Sequence, residues 1–172
     1  MAVDVENLKI VTYPAPVLRG KAKTVPAVTD EVRRVALRML QLMHEAPGIG
    51  LAAPQVGLPW RLFVANPTGE PADDRVYINP VLSQPSRKLE DYEEGCLSLP
   101  GINGHIRRPI GITIEALDLQ GQPVRQSAEG LEARVWQHET DHLDGVLILD
   151  RMPPMDRMAS QNALRELEAK GR

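Results

Sequence analysis

Gln137-His138-Glu139-Thr140-Asp141-His142-Leu143 lies inside a run, over 130–144, that reads as a helix, with Gly145 placed to end it. Residues i and i+4 on a helix lie one turn apart on the same face, so both imidazoles reach one point. Leu131 and Val135 share that face, and the histidines therefore continue an apolar stripe expected to be buried. Buried imidazoles need partners, and one metal ion satisfies both. A mutual hydrogen bond or nearby carbonyl groups would also serve. Glu139 is adjacent, where its carboxylate could meet a water at such an ion. This is the H-E-x-x-H arrangement of zinc hydrolases, and two histidines falling by chance on an amphipathic helix is the competing explanation.

Before this helix the strands are grouped. Short β-like runs cover 61–65 and 76–82, with Asn66-Pro67 and Asn79-Pro80 as punctuation. Over 110–119, Ile110, Ile112, Ile114 and Ala116 alternate with Gly111, Thr113 and Glu115. Gln120-Gly121 turns this strand towards 123–127, an antiparallel hairpin. An earlier helix starts at Thr29, with Asp30 and Glu31 in its first turn. It carries Val32, Val35, Ala36, Met39, Leu40 and Met43 on one face and stops at Pro47-Gly48. Pro153-Pro154 precedes a third helix over 155–170, with a weak stripe of Met158, Leu164 and Leu167. Grouped strands between helices predict an α+β fold. Its short, mainly antiparallel sheets surround the central helix, a terminal helix follows, and residues 1–172 form one domain.

Composition narrows the function classes. The 172 residues include 20 basic and 23 acidic ones, and a net charge of −3 argues against wholesale nucleic-acid binding. A single cysteine, Cys96, excludes an intrachain disulfide. No apolar run approaches the roughly 18 residues that span a bilayer. The N-terminal stretch has neither a basic n-region nor an apolar core, so a soluble cytoplasmic protein without a membrane partner is expected.

Two histidines leave a ligand to find. A metzincin would place a third histidine where Ile148 stands, although Gly145 fits that pattern. A metallopeptidase with a carboxylate ligand would draw on Glu166 or Glu168. These lie among Arg165 and Lys170 in the terminal segment, where a solvated charged face is the plainer explanation. Cys96 remains, in Glu94-Gly95-Cys96-Leu97-Ser98-Leu99-Pro100. It reads either as a small buried hydrophobe or as a thiolate presented by a bent backbone. His44 and His105 match no ligand position.

Three separated motifs resemble those of peptide deformylases: Gly48-Ile49-Gly50-Leu51-Ala52-Ala53-Pro54-Gln55, Glu94-Gly95-Cys96-Leu97-Ser98 and Gln137-His138-Glu139-Thr140-Asp141-His142. The likeness covers about residues 5–152, and the terminal helix is similar to that of the bacterial subtype. It implies removal of the N-formyl group from the initiator methionine of new polypeptides, with release of formate. Cys96, His138 and His142 would then hold one divalent ion, iron(II) by the habit of the family, with zinc, nickel or cobalt also accepted. Glu139 would serve as base and then acid, and Gln55 with the Leu97 amide would stabilise the oxyanion. Ile49, Gly50, Tyr92, Leu131 and Val135 would receive the substrate, although core packing explains Leu131 and Val135 equally well. Gly48 and Gly50 would let an extended peptide approach the backbone. Glu94 would orient the cysteine loop, with Arg108 as its partner.

Seven residues after the cysteine, several bacterial members carry arginine or tyrosine where this chain has Asn103, which changes what the peptide meets beyond methionine. The implied partners are N-formylmethionyl peptides and the ribosome near its exit, with no sequence-specific nucleic acid. A silent peptide-binding relative would be expected to lose Glu139 or Cys96. A structural metalloprotein would need a fourth protein ligand.

Overall fold

The Thr29 hydroxyl accepts a hydrogen bond from Val32 N (3.3 Å) and starts helix α1, Asp30–Glu45. In the computed structural model, which describes residues 1–171, α1 buries every apolar residue of the predicted stripe, and Leu42 as well. Seven strands follow: β1 (Gly50–Ala52), β2 (Leu62–Ala65), β3 (Arg75–Ser83), β4 (Leu89–Gly95), β5 (Asn103–Pro109), β6 (Gly111–Leu117) and β7 (Pro123–Glu129). Five of them form one antiparallel sheet in the order β1-β2-β3-β6-β7, while β4 and β5 pair only with each other. Helix α2 (Gly130–Leu143) follows β7 directly, and three short helices close the described chain: α3 (Ile148–Arg151), α4 (Pro154–Ala159) and α5 (Gln161–Lys170).

The sheet is covered on both faces, which explains why β2 is apolar at every position. Its Leu62 and Val64 join the α1 core, whereas Phe63 and Ala65 join Ala133, Trp136 and Leu143 of α2 on the other side. Trp136 is 1% exposed and meets Tyr77 edge to face at 5.8 Å. Burying one such ring stabilises by roughly 1.5–3 kcal/mol, so α2 is anchored by the face that turns away from its histidines. A third core joins Ile106 of β5 and Leu99 to Leu149 of α3 and Leu167 of α5.

β3 spans the run expected over 76–82, and Asn79-Pro80 punctuates it from inside. The register shifts between Ile78 and Val81, and Asn79 adopts φ 52°. Its side-chain amide pairs with Val25 N and O at 2.8 and 2.9 Å, replacing lost ladder bonds. Several expectations change. Leu131 is 44% exposed, so the histidine stripe of α2 begins in an open cavity, not in the core. The helix expected over 155–170 is two helices broken at Ser160, whose hydroxyl bonds back to Asp156 O (2.9 Å), a contact that bends helices. Of its predicted stripe only Leu167 is buried, and Met158 is exposed. Strands β1, β4 and β5 had no counterpart in the sequence reading. β4 exposes all its side chains except Glu94, the reverse of an apolar-in pattern.

Candidate active site

β4 carries the chain to Cys96, where a turn closed by Leu99 N donating to Cys96 O (2.9 Å) bends the backbone. α2 presents His138 and His142 to the same point. One ligand atom from each of Cys96, His138 and His142 lies within 4.8 Å of the other two, and Sγ stands 3.4 Å from His142 Nε2. Around one tetrahedral ion such atoms sit roughly 3.5 Å apart, so the group fits one zinc-like or ferrous ion. Among the described residues no carboxylate joins this group. Glu168 accepts from the Tyr13 hydroxyl (3.2 Å) and Glu166 is exposed, which removes both as ligands.

Glu94 organises the surroundings. His138 Nδ1 donates to Glu94 Oε1 (2.8 Å), leaving Nε2 for the ligand group. Arg108 grips the same carboxylate through Nε (2.7 Å) and Nη2 (2.9 Å), and its Nη1 donates to Asp141 (2.9 Å). Asp141 also receives Arg151 from α3, through Nε at 2.6 Å and Nη2 at 2.8 Å. Burial raises the Glu94 carboxyl, but bonds from His138 and Arg108 prevail and hold it well below the usual carboxylate range. Burial pulls His138 down, yet Cys96 and Glu94 lift it well above its ordinary value. His142 is kept well below its own by burial and by the charges of His138 and Arg108, a neutral ring suited to ligation.

Glu139 is 4% exposed, with Oε1 4.0 Å from His138 Nε2 and Oε2 without a hydrogen-bond partner among the described residues. Burial pushes its carboxyl up to about 7. A carboxylate near that value exchanges protons readily at neutral pH. A Cβ on Gly50 would lie 2.5 Å from Glu139 Oε1, so this glycine leaves room for the carboxylate itself. The Gln55 side chain, 1% exposed, spans the gap to the cysteine loop. Its Oε1 accepts from Ala52 N (2.9 Å), and its Nε2 donates to Ser98 Oγ (3.2 Å) and lies 3.6 Å from Cys96 Sγ.

A cavity of about 360 Å³ opens over these groups. Ile49, Gly50, Gln55, Tyr92, Glu94, Cys96, Leu97, Leu131, Arg134, Val135, His138 and Glu139 are among the residues that line it, whereas His142 and Arg108 are not. Ile49, Tyr92 and Leu131 are 42%, 55% and 44% exposed, an apolar surface left uncovered beside polar groups. Asn103 pairs with Gly95 across the hairpin and turns its amide towards it, 2.7 Å from where a Cβ would be. His44 and His105 face Asp74 and Asp156 at 2.7 and 3.2 Å, away from the ligand group.

Sequence reasoning missed Arg134, Asp141 and Ser98. Arg134, one turn before His138, donates to Glu94 Oε2 (2.6 Å), and Ser98 ties Gln55 to Val11 O (2.8 Å). The one signal available was that Glu94, if buried, has more acceptor sites than one guanidinium fills.

A scan of family models matches residues 7–158 to "Polypeptide deformylase". "Peptide deformylase" of Maricaulis maris is 43% identical over 162 residues, 93% of this chain and 93% of the relative. "Peptide deformylase 1B, chloroplastic" of Oryza sativa is 43% identical over 95% of this chain, which spans only 61% of that relative's length. The solved Plasmodium falciparum peptide deformylase superposes with a TM-score of 0.91 at 37% identity, covering 94% of this chain and 96% of that one.

Proposed function

The chain belongs to the peptide deformylase family, and from that premise we propose that it hydrolyses the N-formyl group of formylmethionyl polypeptides and releases formate. The observation that carries this reading is the convergence of Cys96, His138 and His142 within 4.8 Å, beside the buried Glu139. A divalent ion held there supplies Lewis acidity, making a water acidic near neutral pH, and iron(II) is our assignment over zinc, nickel or cobalt. Residues 1–172 act as one domain in this reading.

The remaining work falls to side chains. Glu139 takes the proton of the attacking water and passes it to the leaving amine, base first and acid second. Gln55 Nε2 and the Leu97 amide donate to the formyl oxygen as charge develops, and such donors are typically worth about 3–4 kcal/mol each. Glu94, locked by Arg108, keeps His138 in one tautomer. Ile49, Tyr92, Leu131 and Val135 receive the methionine side chain, and Gly50 lets the peptide and the carboxylate come close. The thiol of Cys96 must stay reduced, which suits a cytoplasm, and nascent chains place the work near the ribosome exit.

Formate release from formyl-Met-Ala-Ser tests the reading. Glu139→Ala is expected to keep its metal and lose at least about a hundredfold in turnover; equal rates in both proteins would remove the catalytic role. Cobalt substitution is expected to give a near-ultraviolet thiolate band that Cys96→Ser abolishes.

A further inference from the structure

Arg134 is 7% exposed on α2, and its donors are shared among three acceptors. Nη1 donates to Glu94 Oε2 (2.6 Å) and Ile106 O (2.9 Å), and Nη2 to Glu90 O (2.8 Å). The two carbonyls lie on different strands of the β4–β5 hairpin, so one planar group ties both strands to the helix. Charge balance does not call for it. Glu94 already holds Arg108 through two bonds, and a further bond from His138. What Arg134 adds is shape.

With these donors occupied, the guanidinium carbon also lies over the Tyr92 ring. The distance from Cζ to the ring centroid is 5.5 Å, within cation–π range. Tyr92 stands on a strand whose neighbouring Asp91 and Glu93 are exposed, and it is itself 55% exposed while lining the cavity. Core packing therefore holds only part of this ring, and the guanidinium under it supplies a fixed contact.

We propose that Arg134 is a positioning residue for substrate selection. By docking the hairpin on α2 and stacking beneath Tyr92, it fixes the Tyr92 wall of the cavity and so sets which N-terminal side chain fits. The proposal rests on the deformylase reading for the identity of that side chain.

Lysine keeps the charge but has neither a fork of donors nor a face, so Arg134→Lys isolates the role. In the metal-loaded variant KM for formyl-Met-Ala-Ser is expected to rise about tenfold while kcat falls less than about threefold, the mark of lost binding rather than lost chemistry. The preference for formyl-Met over formyl-Ala peptides is expected to shrink by about tenfold. Fluorine NMR of 3-fluorotyrosine-labelled protein supplies a readout apart from activity. The resonance assigned to Tyr92 by its absence in Tyr92→Phe is expected to move towards that of the free amino acid in Arg134→Lys.

Unchanged KM, unchanged preference or an unmoved resonance would each overturn the proposal. Should Arg134→Lys not fold, Tyr92→Leu at its half-exposed position takes over. In nitrogen-labelled protein the Arg134 Nε–H proton is expected to shift when the ring is lost, and no shift overturns the stacking. A wild type that releases no formate overturns the deformylase reading and the selection role with it. An active wild type with an unaffected Arg134→Lys overturns this proposal alone.

Discussion

Gly50 and Gly48 stand two residues apart, yet a methyl group would do different things at each. At Gly50 it would lie 2.5 Å from Glu139 Oε1 and 2.9 Å from the carboxylate carbon, on a side chain that is buried and cannot swing aside. At Gly48 it would meet the tip of Leu97, 2.8 Å from Cδ1, which a rotamer change can relieve. Displacing a catalytic group by about 1 Å costs on the order of a hundredfold in rate. Gly50→Ala is therefore expected to lose about that much in kcat while keeping its metal and its melting temperature. Gly48→Ala is expected to lose less than about tenfold, since only a flexible side chain has to move. Parallel kinetics and metal analysis on the two variants check the contrast. Equal losses would mean that the glycines serve the approaching peptide, not the carboxylate.

At the scale of elements, α3 shows how a four-residue helix is held in place. Asp150 reaches back to Leu147 N (2.9 Å) and receives Arg19 Nη1 (2.6 Å), so it caps the helix and ties it to the N-terminal segment. Burial, the largest single influence, raises its carboxyl, but the Leu147 amide and Arg19 together outweigh that and hold it below the ordinary value of 3.8. A depressed folded value means that the contribution is complete above pH about 3.8 and is lost as pH falls through the folded value. Asp150→Ala is expected to cost about 1 kcal/mol at pH 7 and progressively less under acid, read from thermal melts at both pH values. α1, the β6–β7 hairpin and α2 were legible because caps, turn residues and periodicity are local signals, written within about a dozen neighbouring residues. β4 was not, because its one buried side chain is Glu94, whose partners Arg108, Arg134 and His138 come from 14, 40 and 44 residues away. The convergence of Cys96, His138 and His142 was legible through their spacing and their motifs. Arg134 and Asp141 were not, since a charged residue on a helix reads as solvated until its acceptors are known.

For the molecule as a whole, the ligand group is divided between two bodies. α2 with both histidines packs on the five-stranded sheet, whereas Cys96 hangs from a hairpin with no strand pairing to that sheet. The geometry of the site thus depends on how the hairpin docks. Two features dock it: the third core, with Ile106 and Leu99, and the buried charges around Glu94. Glu94→Gln keeps the volume and removes the charge, leaving the Arg134 guanidinium buried without a carboxylate and Arg108 with Asp141 alone. Breaking such a cluster from one side costs about 3–5 kcal/mol. Because Glu94 also sets His138, metal affinity is expected to fall 10–100-fold, about the loss usual for partners of a ligand. The sign with pH follows from a carboxyl held well below its unfolded value of 4.5. The stability gap between wild type and variant is expected to stay constant from neutral pH down to about 4.5 and to close below it. Chemical denaturation across that range, with cobalt binding followed in parallel, separates the alternatives. A gap that closed already between pH 7 and 5 would assign the docking to some other titrating group. An unchanged cobalt affinity would mean that the hydrophobic core alone brings Cys96 to the histidines.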